Sequence, residues 1–232
     1  MTKEQILIYT FSGVTLFYII LLLFIKPAVR AHKRKKRGKK GERNIEKVLK
    51  SLDLPYARIL KNCYIPTSSG NTTEIDLMMI CEQGIFVFES KNYKGDIRGR
   101  EYEKNWTQEL MGEAYRPIVH LFYNPVWQNE MHVSVLQSLL KRSEIPMFSV
   151  VVFSNNCELN VPGVCKKTRV LQLCDLKKSM KKVCEEKRVA LDSKEINDLY
   201  NMLRPYTEVS LATKREHIKN VNRISKKALH EI

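Results

Sequence analysis

Apolar positions along this 232-residue chain change period several times, and each change predicts a different element. Ile6 to Ile25 is twenty residues without a charge, long enough to span a bilayer as a helix rising about 1.5 Å per residue. Ile45, Val48, Leu49 and Leu52 then recur on one side of a helix predicted over Gly41 to Leu52. Arg58 to Ile65 reads as a strand, ended by Pro66 and the turn-rich Thr67-Ser68-Ser69-Gly70-Asn71. Thr73 to Ile80 and Ile85 to Lys91 have strand composition, and Cys81-Glu82-Gln83-Gly84 joins them as a hairpin. Gly95 to Tyr102 is a further candidate strand. Asn124-Pro125 opens a helix carrying Trp127, Met131, Val135, Leu136, Leu139 and Leu140 at helical spacing. Phe148 to Phe153 is nearly continuous apolar chain, as expected of a strand covered on both faces. A strand over Arg169 to Leu173, a helix capped by Asp175 and a shorter one capped by Ser193 follow. Beyond residue 206, Ile218, Val221, Ile224 and Leu229 give only weak amphipathic spacing.

This order predicts an α/β fold, a mixed sheet flanked by helices, preceded by one N-terminal transmembrane helix. The segments expected are an anchor over 1–26, a basic juxtamembrane linker over 27–40, a compact domain over 41–156, an α/β extension over 157–205 and a basic C-terminal tail over 206–232.

Charge sharpens the first two segments. Between Lys26 and Arg43 stand ten lysines and arginines and one acid, Glu42, so this run supplies +9 of the formal +15. Basic flanks stay on the cytoplasmic side, so the N-terminus is expected outside and the bulk of the chain in the cytoplasm. A cleaved signal peptide fits less well, because the apolar core is long and Lys3 is balanced by Glu4. The expected partners are the lipid bilayer through residues 6–25 and anionic headgroups through residues 26–43. Lysine and arginine clusters also neutralise nucleic-acid phosphates, and that reading of the run stays open. Six cysteines form no C-x-x-C pair and are expected as reduced thiols.

The hairpin carries the chemistry. With its turn centred on Glu82-Gln83, Asp76 falls opposite Glu89, Met78 opposite Val87 and Glu74 opposite Lys91. Residues two apart share a sheet face, so Glu74, Asp76, Glu89 and Lys91 are expected to project together. Mg²⁺ or Mn²⁺ takes oxygen ligands, and one or two carboxylates plus a substrate phosphate suffice for Mg²⁺. The competing reading makes Glu89 and Lys91 an exposed pair closing a strand. Against it, Asp76 interrupts a run of Ile75, Leu77, Met78, Met79 and Ile80, where an unpaired acid is costly. Trp106 and Trp127 are expected to pack in the core, Asn124 to cap its helix, and His120 and His132 to be structural or exposed. Gln128 and Asn129 read equally as polar core or as substrate-facing groups.

Gly41-Glu42-Arg43, Thr73-Glu74-Ile75-Asp76, the segment Gly84 to Gly95, Trp106-Thr107-Gln108 and Asn124 to Asn129 together resemble the NERD (nuclease-related) domain. The resemblance covers about residues 40–155 and implies the restriction-endonuclease-like core of the PD-(D/E)XK superfamily. It assigns Asp76, Glu89, Lys91, Glu42 and Gln108 to the catalytic site, with Asp76, Glu89 and Glu42 as metal ligands. The implied function is a membrane-anchored, Mg²⁺-dependent nuclease hydrolysing DNA. The alternative is a non-catalytic, membrane-tethered nucleic-acid-binding or scaffolding module on the same fold.

Overall fold

The computed structural model describes residues 2–21, 23, 26–112, 115–161 and 167–230. The chain divides into two units, Met1–Lys40 and Gly41–Ile232. The first contains α1 (Lys3–Ile20) and the start of α2 (Lys26–Lys50), whose last turns belong to the second. The second continues through β1 (Arg58–Pro66), β2 (Thr72–Cys81), β3 (Gly84–Lys91), β4 (Gly95–Arg98), β5 (Asn105–Met111) and β6 (Pro117–Tyr123). After α3 (Pro125–Leu140) come β7 (Met147–Phe153), β8 (Cys157–Asn160), β9 (Thr168–Gln172), α4 (Leu173–Glu186), α5 (Ser193–Leu203) and α6 (Leu211–His230).

The expected transmembrane helix is not borne out: no helix among the described residues is long and apolar enough to cross a membrane. α1 begins on Lys3, Glu4 and Gln5, which dilute it, and ends at Ile20, before the most apolar stretch. Residues 22, 24 and 25 of that stretch lie outside the described residues. The basic segment expected as a linker is helical and forms the first part of α2, consistent with the good helix propensity of Lys, Arg and Ala.

In the second unit a five-stranded mixed sheet runs β1-β2-β3-β7-β9, antiparallel from β1 to β3 and parallel from β3 to β9. The central position of β3 explains its unbroken apolar run, since both faces are covered. On one face Met78, Ile80, Ile85 and Val87 pack with Leu136 and Leu140 of α3 and with Ile196, Leu199 and Leu203 of α5. On the other, Leu77, Met79, Phe86, Phe88, Val150 and Val152 pack with Ile45 and Leu49 of α2 and with Leu176, Met180 and Val183 of α4. The hairpin turn is as tight as expected, with Cys81 paired to Gly84. Gly84 has φ +129, and a Cβ there would collide with the Pro146 carbonyl oxygen.

A second, four-stranded sheet, β6-β5-β4-β8, has no counterpart in the sequence reading beyond the strand expected at Gly95. It grows out of the first. β3 and β7 run parallel to Lys91 and Phe153, and their continuations β4 and β8 pair in parallel again. At the join Ser154 N–H donates to the Lys91 carbonyl at 3.1 Å and Gly95 N–H to the Asn156 carbonyl at 3.3 Å. Trp106, Ile97, Val126, Val151 and Phe153 fill the core there. Lys91 therefore marks the bend where one sheet becomes two.

Two caps differ from expectation. Asp192, not Ser193, caps α5 through a reciprocal box with Glu195, and Asp175 lies within the first turn of α4 instead of capping it. The basic tail, expected as a solvated helix or a disordered arm, forms the helix α6. It docks on β2 through His217 Nδ1, 2.9 Å from the Thr72 carbonyl oxygen, and through Asn220 Nδ2, which donates to Asn71 Oδ1 at 2.8 Å.

Candidate active site

Asp76 sits where strand pairing is broken on both sides. The β1–β2 ladder passes from Lys61↔Leu77 to Cys63↔Ile75, with Asn62 between them in the left-handed region at φ 51. Ile75 shares the α3-side core with Met78 and Ile80, so the inward face of β2 shifts by one residue around Asp76. The β2–β3 ladder shows the expected Met78↔Val87 pair and ends at Leu77↔Phe88. Asp76 and Glu89 thus lie one step beyond it, and Asp76 Oδ2 accepts the Ser90 N–H at 3.0 Å. The carboxylate takes up a β3 donor where the strands part.

Glu89 is paired through its backbone with Val151 of β7 and is 3% exposed. Lys91 Nζ donates to Glu89 Oε1 at 2.7 Å and to Gln128 Oε1 at 3.0 Å. His132 Nε2 stands 3.5 Å from Glu89 Oε2, an electrostatic contact that leaves both atoms without a closer hydrogen-bond partner. Its Nδ1 lies 2.8 Å from Thr73 Oγ1. Thr73, His132, Glu89, Lys91 and Gln128 therefore form one chain of polar contacts through a buried site.

Of the α3 residues here, Gln128 was open in the sequence and His132 was expected to be structural or exposed; the structure buries His132 beside Glu89. Gln128 and His132 are one helical turn apart, so they face the same way, and that spacing after a capped start is the signal that could have found them. The cap itself is as expected: buried Asn124 accepts the Val126 N–H at 2.9 Å. Asn129 belongs to the polar core, where Nδ2 donates to the Val87 carbonyl at 2.9 Å and Ser149 Oγ at 2.8 Å. It pins α3 across β3 and β7, and so sets where Gln128 and His132 reach. Asn129→Ala is expected to cost about 1–3 kcal/mol, the penalty of stranding buried polar groups, read as a lower midpoint in urea denaturation.

Glu42 follows Gly41 in α2, and Gly41 approaches β3 so closely that a Cβ would crowd Ser90 and Asn92. From there the Glu42 charge acts on Asp76. Gln108 is on β5, and its Nε2 donates to the Lys94 carbonyl at 2.8 Å. It braces the turn after Lys91, while Gln128 makes the amide contact to Lys91 itself. Glu74, expected to partner Lys91, turns elsewhere: it accepts from Tyr64 Oη at 2.6 Å and lies 3.8 Å from His217. The face shift around Asp76 separates Glu74 from the cluster.

The acids are tuned in opposite directions. Burial pushes the Glu89 carboxyl up, but the Lys91 ammonium and His132 outweigh it and hold the group at about 2. Burial and the neighbouring Glu89 charge push Asp76 well above the ordinary aspartate range, against the Ser90 N–H and Lys91. Lys91 is lowered by burial but raised more by Glu89, so it stays an ammonium.

Among the described residues no three His, Cys, Asp or Glu side chains gather closely enough to hold a metal. The expected three-acid set of Glu42, Asp76 and Glu89 is therefore not preassembled. Two adjacent carboxylates remain, buried Glu89, whose Oε2 makes no hydrogen bond, and half-buried Asp76, raised by burial and by its neighbour's charge. That donor set fits a hard cation completed by waters and a phosphate.

Comparison with known proteins shows the family. Residues 37–154 match the nuclease-related domain, NERD, a span that contains Glu42, Asp76, Glu89, Lys91 and Gln108. An uncharacterized protein of Bacillus anthracis is 30% identical over 210 residues, covering 89% of this chain and 95% of that protein. No solved structure matches. The chain belongs to the nuclease-related domain family.

Proposed function

We propose that this protein is a metal-dependent nuclease that hydrolyses DNA phosphodiester bonds at the Asp76, Glu89 and Lys91 cluster. One observation carries the reading: a buried carboxylate, Glu89, lies with a second, half-buried carboxylate and a half-buried ammonium at the bend between two sheets. Packing two acids side by side works against folding stability, and such costs concentrate at functional sites.

A divalent ion bound there would polarise a phosphoryl oxygen and lower the pKa of a coordinated water. Asp76 and Glu89 would supply the oxygens that hold it, with Glu42, whose charge already acts on Asp76, as the third acid of the set. Lys91 is kept charged and aimed by Glu89 and Gln128, so its remaining N–H can orient the attacking water or meet charge developing on the phosphate. His132 limits the rotation of Glu89 from the opposite side. Gln108 fixes the turn that follows Lys91, and in this reading positions substrate or water.

The test is cleavage of plasmid DNA by the full-length chain. Strand breaks are expected with Mg²⁺ or Mn²⁺ and none with EDTA. DNA binding that falls with salt, without cutting in either ion, would instead favour the non-catalytic module.

Membrane attachment with the NERD domain cytoplasmic belongs to the same proposal. Its support is the surface of α1, where Phe11, Val14, Leu16, Phe17, Tyr18, Ile19 and Ile20 are all exposed to solvent. Consecutive exposed apolar residues cover every side of a helix, the pattern of a lipid-facing segment rather than a core-facing one. Sedimentation of the expressed chain with membranes, resistant to high salt and released by detergent, is expected. Release by salt alone would limit the contact to the basic residues of α2.

A further inference from the structure

At the end of the β2–β3 hairpin away from the acidic cluster, two thiols meet. Cys81 closes β2 and is buried; Cys184 lies in the last turn of α4 and is half-buried. The two thiols lie close enough for each to perturb the other's ionisation. Gln83, in the hairpin turn, touches both residues: Cys81 Sγ donates to its Oε1 at 3.4 Å, and its Nε2 donates to the Cys184 carbonyl at 3.3 Å. The chain leaving α4 is fastened to the same turn, because Ala190 and Leu191 N–H donate to the Glu82 carbonyl at 2.7 and 3.0 Å. The backbone around both sulfurs is thus already held together.

The two thiols are not equivalent. The contact with Cys184 and burial push Cys81 upward, while the same contact holds Cys184 below the ordinary thiol range. Cys184 is also the more accessible, so it is the sulfur that attacks first.

We infer that Cys81 and Cys184 are a redox modification site, closing to a reversible disulfide by exchange with a low-molecular-weight disulfide such as glutathione disulfide. The Cys184 thiolate attacks one glutathione sulfur, the S–S bond breaks, and one glutathione thiolate leaves. Cys81 then gives its proton to solvent, with the Gln83 and Gly84 N–H groups stabilising its thiolate. It attacks the Cys184 sulfur and releases the second glutathione thiolate. The protein loses two electrons, and the glutathione disulfide gains them.

Closing a loop of about a hundred residues restricts the unfolded chain, and the melting temperature is expected to rise by about 10 °C. The full-length chain is incubated with glutathione disulfide, alkylated, digested without reductant and mapped by mass spectrometry. The expected product links the Cys81 and Cys184 peptides in wild type and in Cys174→Ser, with a thermal shift reversed by dithiothreitol and absent in Cys184→Ser. Recovery of Cys184 only as free thiol or as its glutathione adduct, or a bridge to another cysteine in its place, overturns the inference. Peptide mapping of wild type decides the matter even if Cys184→Ser folds poorly.

Discussion

Replacing Lys91 by methionine is expected to remove DNA cleavage and to cost the fold about 3–5 kcal/mol, the range seen when one member of a buried ion pair is taken away. The activity loss is on the order of 10²–10³ or more, as for removal of a preorganised donor at a reacting centre. Stability falls because Glu89 stays behind, buried, with only the looser His132 contact on its other oxygen. The double variant Glu89→Gln with Lys91→Met removes the stranded charge and is expected to recover most of the stability while remaining inactive. Denaturant melts of the four proteins in the cycle measure the coupling. Equal stability of Lys91→Met and wild type would mean that the pair is solvent-screened and that the buried geometry is wrong.

The pH dependence follows with its sign. Glu89 is held at about 2 in the folded protein, below an unfolded glutamate at about 4.3. Its ionised form therefore stabilises the fold fully above the unfolded value, and that contribution is lost as pH falls towards 2. The penalty of Lys91→Met is accordingly greatest near neutrality and shrinks in acid, where the stranded carboxyl takes up a proton.

Asp76→Asn is expected to act in the opposite direction on stability while being as damaging to activity. Asparagine Oδ1 can still accept the Ser90 N–H, so the parting of β2 and β3 is kept. What disappears is a negative charge beside Glu89 in a buried site, whose cost is why the Asp76 carboxyl is raised. A raised carboxyl destabilises the fold above its unfolded pKa, about 3.9, with the penalty complete once pH exceeds the folded value. Metal-free Asp76→Asn is thus expected to melt several degrees above wild type at neutral pH, with the gap closing near pH 4. Mg²⁺ should raise the melting temperature of wild type by ligand linkage and leave the variant unmoved. If both proteins respond equally to Mg²⁺, Asp76 is not a ligand.

The hairpin was legible because its signals are local. A two-residue turn, the apolar runs on either side of it and a glycine forced to positive φ fix the Met78↔Val87 register, and from it the closeness of Asp76 to Glu89. Glu74 was misplaced because alternation was carried straight through Asp76. The face shift originates opposite it, at the left-handed Asn62 on another strand, and no property of the hairpin reports it.

Gln128 was undecided, and His132 was expected to be structural or exposed, for a similar reason. Their types and spacing suit a buried polar face, but only the docking of α3, pinned by Asn129 on β3 and β7, brings them to Lys91 and Glu89. The second sheet was the largest omission. Its outer strand β6 is exposed along most of its length, with Ile118, Val119 and Leu121 outward, so it shows no in–out alternation to read. The docking of α6 escaped because it rests on a few polar contacts to Asn71, Thr72 and Glu74 instead of an apolar stripe.

The predicted stability of Asp76→Asn makes the central claim directly measurable, since a variant that melts above wild type cannot be dismissed as misfolded. The decisive measurement is cleavage of one DNA substrate by wild type and Asp76→Asn side by side in Mg²⁺. The account predicts cutting by wild type that EDTA stops, and none by the more stable variant. Equal cutting by the two proteins would contradict it.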